Sequence, residues 1–99
     1  MTDGAQMIIG TCRVALRADW VNSLKEKRTA VKSLTAKVKN KFNVSIAEIE
    51  NMDIHKEIVL GFACVTNETR HAQSVLQNVL EFIENNTEAV VTEVETEIL

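Results

Sequence analysis

The chain has 99 residues, with 11 Lys and Arg against 14 Asp and Glu, for a formal charge of -3. That length holds one hydrophobic core and not two, and 45% apolar residues exclude a disordered chain. The acidic balance excludes a uniformly basic, histone-like binder, so the distribution of charge matters more than its sum.

Met1 to Gln6 reads as a tail, with Met7 opening a single domain that extends to Leu99. The tail lacks the basic and apolar regions of a secretory signal. No apolar run approaches the ~18 residues that span a bilayer. A cytoplasmic protein without a membrane partner is expected. Cys12 and Cys64 have no CxxC spacing and lie in separate apolar runs. They read as buried reduced thiols rather than a disulfide or a zinc site.

Met7 to Ala18 has the β-branched content and alternation of a half-buried strand, Val14 and Leu16 against Arg13 and Arg17. Asp19 to Asn22 is a polar loop. Ser23 stands three residues before Glu26, the spacing of a capping box. It predicts a helix to about Phe42, with Leu24, Val31, Leu34, Val38 and Phe42 on its apolar face. Val44 to Glu50 and Glu57 to Thr66 read as strands joined through Asn51, Met52 and Asp53. The second is apolar at both parities, as a strand covered on both faces would be. Asn67 is the expected cap of a helix from Glu68 to about Asn85. Its core stripe is Ala72, Val75, Leu76, Val79, Leu80 and Ile83. Thr87 to Leu99 alternates as a last strand.

The order is βαββαβ. With right-handed crossovers it gives an α+β ferredoxin-like sandwich, a four-stranded antiparallel sheet with two helices on one face. The first strand then lies between the third and fourth. Arg13 and Arg17 are expected to face Glu93, Glu95 or Glu97 across the sheet, in pairs that stabilise by roughly 0.2–1 kcal/mol each.

Several segments carry a family resemblance. They are Ser23-Leu24-Lys25-Glu26-Lys27-Arg28, Lys32-Ser33-Leu34, Phe42 through Glu48, Leu60-Gly61 and Glu97-Ile98-Leu99. Together they resemble the YlxP-like family of small bacterial proteins of unknown function, from Met7 to Leu99. The resemblance implies a ferredoxin-like fold and a bacterial cytoplasm. It also implies genes lying among translation and transcription factors, and it carries no catalytic residue. The family tends to place an aromatic residue after the hairpin aspartate, where this chain has His55.

Residues 25–41 hold seven of the eleven basic side chains and one acid, a local +6 set against -9 elsewhere. At about 100° per residue, Lys25, Arg28, Lys32 and Lys39 fall within an arc of about 60°. Such a row can follow a phosphate backbone. A solvated helix face is the plain alternative, and the translation-linked gene context favours rRNA or a ribosomal subunit, with no DNA target expected. The start of the same helix is a candidate anion site, with Ser23, Lys25, Lys27 and Arg28 facing Asp53 and His55 of the hairpin. The topology puts Lys56 and Trp20 at that end too. Asp53, His55 and Glu57 alternate but make a weak metal signal, and His71 reads as a surface residue. Leu60-Gly61-Phe62-Ala63-Cys64-Val65 partly matches an RNA-recognition strand motif. Without a second aromatic it makes a poor stacking platform, so helix binding is expected rather than sheet binding. The arginine-bearing glycine loop of acylphosphatases, a P-loop and a dinucleotide fingerprint are all missing, so no enzyme activity, cofactor or metal is expected. The two-sided apolar strand 57–66 and the open sheet's edges raise a self-associating (dimeric) interaction domain or a small-ligand-binding domain as the alternative function.

Overall fold

The computed structural model describes residues 6–99, so the predicted tail lies outside the described residues except for Gln6. The elements run β1 (Ile8–Arg17), α1 (Leu24–Lys41), β2 (Ser45–Glu50), β3 (Glu57–Thr66), α2 (Thr69–Asn85) and β4 (Val90–Ile98). The sheet is antiparallel in the order β2-β3-β1-β4, and both helices pack on it. This is the expected ferredoxin-like α+β sandwich.

Local chemistry sets the ends of α1. The Glu26 N–H donates to Ser23 Oγ at 3.1 Å, as the capping box requires. The return bond goes one residue early, from the Asn22 N–H to Glu26 Oε1. Helix α2 starts later than expected. Its N-cap is Glu68, with no side-chain bond, and Asn67 lies outside it. The backbone turns into the helix one residue beyond the best capping side chain.

The core lies between the helices and one sheet face. Cys12, Val14 and Leu16 of β1 meet Leu60, Phe62 and Cys64 of β3, under Val31, Leu34 and Val38 of α1 and Ala72, Leu76, Val79 and Ile83 of α2. Gly10 lets α2 approach β1 closely. A Cβ there would stand 3.2 Å from Cys64 Sγ and 3.3 Å from both Ala72 Cβ and Leu76 Cδ1. Phe62 is buried on this side, so the motif-bearing strand presents no ring on its open face. Cys12 and Cys64 are buried free thiols, and burial pushes the Cys12 pKa up to about 11.

Two irregularities reshape the open face. The β1–β4 register shifts between Ala15 and Leu16, which sets Arg17 opposite Val90. Arg17 lies beyond Glu93, the last glutamate of β4 in this direction, and its partner is Asp19 at 3.5 Å. Arg13 does meet Glu93 and Glu95, at 2.6 and 3.1 Å. The second shift, between Glu48 and Glu50 of β2, swings Ile49 over Gly61, within 2.9 Å of where a Cβ would stand.

Candidate nucleic-acid interface

The eleven cations divide by what they touch. Arg13 is held by Glu50, Glu93 and Glu95, and Arg17 by Asp19. Lys27 and Lys56 are consumed inside the fold, as described below. Lys41 stands over the rings of Phe42 and Phe82, 5.9 and 5.3 Å from their centroids. Lys25, Arg28, Lys32 and Lys39 are all exposed, as are Lys37 on the other flank of α1 and Arg70 in the first turn of α2. Among the described residues they make no ion pair within 4.0 Å.

Lys25, Arg28, Lys32 and Lys39 occupy one edge of α1. The buried positions Lys27, Val31, Leu34 and Val38 define the face turned to the sheet, and the four cations lie about 120° from it at 100° per residue. Lys41 on the opposite flank reaches Phe82 of α2, so that flank faces the neighbouring helix and the row faces away from it. The row runs roughly 21 Å along the axis at 1.5 Å per residue. Lys39, at its far end, shares a surface groove with Asn43, Val44 and Ser45 at the start of β2. The result is a line of unpaired cations beside the sheet's β2 edge.

At the near end, the β1–α1 loop and the β2–β3 hairpin are fastened together by two lysines. Lys27 is fully buried. Its Nζ donates to the Asn51 carbonyl and, at 2.8 Å, to the Ile54 carbonyl, and pairs with Glu48 Oε2 at 2.8 Å. Lys56 reaches the other way, donating to the carbonyls of Asp19 at 2.6 Å and Val21 at 2.8 Å. The Ala18 N–H donates to the Lys56 carbonyl at 2.8 Å. Asn51 takes a left-handed conformation, φ 57°, which asparagine tolerates better than most residues. The hairpin connection is 51–56, the span between the two expected strands, of which Asn51, Met52 and Asp53 are the first half.

The proposed anion cluster is thus only partly assembled. Hairpin and helix start do meet. Lys27, however, is buried and coordinated by carbonyls and a carboxylate. It is not free for an external anion, which corrects that part of the expected site, whereas Ser23 Oγ accepts the cap bond and keeps its O–H as a donor. Lys25, Arg28, Asp53 and His55 remain exposed. Asp53, His55 and Glu57 do not converge. Among the described residues no three His, Cys, Asp or Glu side chains are placed to share a metal, and Glu57 instead accepts from Asn51 Nδ2 at 3.2 Å. His71 is exposed on α2.

The open sheet face carries a shallow groove of about 700 Å³ lined by Thr11, Ser45, Ala47, Gly61 and Ala63, with Ile49, Arg13, Glu95 and Glu97 among its borders. The Arg13 guanidinium bridges β2 and β4 across it. Its bonds to Glu50, at 2.8 and 2.9 Å, hold that carboxyl below the usual range and raise the guanidinium's own pKa further. Glu50 is a partner that strand alternation did not reveal. The β2 bulge brings it to this face.

A family described as a protein of unknown function, DUF503, matches residues 9–96. The uncharacterized protein YlxP of Bacillus subtilis (strain 168) is 41% identical over 75 residues, which are 76% of this chain and 82% of that protein. Among solved structures, the de novo designed protein Foldit4 shares 14% identity with a TM-score of 0.54, over 95% of this chain and 97% of its own. That likeness concerns the fold alone. Among the described residues no helix is long and apolar enough to cross a membrane.

Proposed function

We propose that this chain, which belongs to the DUF503 family of YlxP-like proteins, is a non-enzymatic RNA-binding accessory of the bacterial cytoplasm, holding rRNA or a ribosomal subunit along the exposed edge of α1. One observation carries the reading. Lys25, Arg28, Lys32 and Lys39 stand in line and unpaired, while Arg13, Arg17, Lys27 and Lys56 are engaged within the fold. Four phosphate contacts give a slope of log K against log salt of about -2.8 on single strands and -3.6 on a duplex. A fourfold rise in salt then weakens single-strand binding roughly 50-fold. The acidic β4 edge is repelled by the same polyanion, which leaves one orientation favoured. The test is co-sedimentation with ribosomal subunits at low salt. The protein is expected in the subunit fraction and is released when all four cations are changed to Glu. Co-sedimentation indifferent to that change refutes the reading.

A second reading, self-association through the open sheet face, is favoured by the apolar strip of Ile49, Ala47, Gly61, Ala63 and Val65, of which Val65 is 69% exposed. A concentration-dependent dimer in sedimentation equilibrium, abolished by Val65→Lys, supports it. A monomer at every concentration removes it.

A further inference from the structure

We infer that Trp20 is a stacking platform for an unpaired base, so that the RNA bound along α1 is single-stranded at the helix's N-terminal end. The inference rests on the proposal that α1 holds RNA and names the kind of RNA it takes. Three observations carry it. First, among the described residues Trp20 is the one Phe or Trp side chain left exposed. Phe62 is buried, and Phe42 and Phe82 are packed edge to face with centroids 5.5 Å apart. Trp20 is 40% exposed between Ala18 and Val21, which are both fully buried.

Second, the backbone that presents the ring is fixed on both sides. The Lys56 ammonium holds the carbonyls of Asp19 and Val21, the residues flanking Trp20. The Val21 N–H closes the turn on the Ala18 carbonyl at 3.1 Å. Little loop ordering remains to be done on binding, which is where an aromatic contact usually loses affinity. Third, Trp20 lies in the β1–α1 loop that leads into the helix bearing the cation row, five residues before Lys25 in the chain. Two carboxylates of this segment are already engaged, Asp19 by Arg17 at 3.5 Å and Glu26 by the Asn22 N–H.

A line of phosphate-binding cations ending in an exposed ring is the pairing that single-strand binders use. The charges track the backbone, and the ring takes a base by its π-face. A duplex keeps its bases inside the stack and gives Trp20 nothing to hold. A lipid surface fits less well. An interfacial helix needs a free apolar face, and that of α1 is spent on the core through Val31, Leu34 and Val38.

The chain contains a single tryptophan, so intrinsic fluorescence reports on this ring alone. The full-length protein is titrated with an oligoadenylate octamer, with an RNA duplex of equal length, and with vesicles of anionic phospholipid. Octamer binding is expected to quench Trp20, and duplex binding to leave it unquenched. Trp20→Ala should weaken octamer binding roughly 5- to 150-fold, the range of one lost base stack. Its duplex affinity and salt slope should stay unchanged. Trp20→Phe should restore most of the octamer affinity. If the octamer binds without quenching and Trp20→Ala matches the wild type, stacking is overturned while RNA binding by α1 stands. If neither RNA binds, both fall. Fluorescence that responds to vesicles and not to RNA overturns the inference in favour of a lipid contact.

Discussion

Replacing Lys27 with Met removes a charge that touches no solvent. The ammonium donates to the carbonyls of Asn51 and Ile54 and forms an ion pair with the carboxylate of Glu48 at 2.8 Å. Taking away one member of a buried pair typically costs about 3–5 kcal/mol, because the other charge stays desolvated and unpaired. Total stability for a domain of this size is about 5–15 kcal/mol, so Lys27→Met should move a urea midpoint far down or leave the chain partly unfolded at 37 °C. A second substitution separates charge from packing. Glu48→Met on the Lys27→Met background removes the orphaned carboxylate, and the hairpin carbonyls can turn toward water. The double variant should recover about 1–3 kcal/mol, the coupling expected of directly paired residues. Equilibrium urea unfolding followed by far-ultraviolet circular dichroism measures both values. Amide exchange of residues 51–56 should speed up in the single variant before the core strands do. A Lys27→Met loss below about 1 kcal/mol, or strictly additive effects in the double variant, would refute the claim that this lysine fastens the hairpin to α1.

Four further outcomes rest on the packing and the charges. Gly10→Ala forces a methyl against Cys64, Ala72 and Leu76 and should cost about 1–3 kcal/mol in thermal or urea melts, as overpacked cores do. Gly61→Ala meets only the end of the exposed Ile49 side chain, so a loss above about 1 kcal/mol there would contradict the described open face. Glu50 holds its carboxylate with a lowered pKa beside Arg13. The unfolded chain therefore takes up that proton first as pH falls, and this contribution is complete above about pH 5 and fades below the ordinary glutamate pKa of about 4.3. Glu50→Gln should flatten the acid limb of the stability profile, and an unchanged limb would show that the pair contributes nothing to it. The Cys12 thiol, buried and raised to about 11, should resist iodoacetamide at pH 8 until the protein is unfolded. Native-state alkylation at the rate of a free thiol would show that β1 opens readily.

Hydrophobic period and capping chemistry carried most of the architecture. The alternation in β1, the 3.6-residue stripes of both helices and the Ser23–Glu26 box predict elements whose cores fall where expected. The cross-sheet contacts of Arg13 with Glu93 and Glu95 follow from topology alone. The misses have a common cause, which is that single-residue shifts are settled by tertiary contacts. A bulge beside Ala15 sets Arg17 opposite Val90 instead of Val91, beyond the last glutamate of β4 in either register, and another beside Ile49 delivers Glu50 to Arg13. Neither leaves a glycine or proline signature. Lys27 is the instructive case. Lys25 and Arg28 on either side of the Glu26-Lys27 pair are solvent-facing cations, and a charge count groups Lys27 with them. Yet positions 24, 27, 31, 34 and 38 form one continuous stripe at spacings of three and four, with a lysine in the second place. That placement was the available signal for a buried, carbonyl-bound ammonium. The exposed row at Lys25, Arg28, Lys32 and Lys39 was legible because amphipathic geometry fixes which side of a helix meets water.

In the proposed complex these four side chains bind RNA through its phosphates. The most direct test is the salt dependence of binding to a single-stranded oligoribonucleotide, measured for the wild type and for the variant with Lys25, Arg28, Lys32 and Lys39 all changed to Ala. The wild type should give a slope near -2.8, and the variant a slope near zero with affinity lost at low salt. Equal slopes and equal affinities in the two proteins would contradict the account.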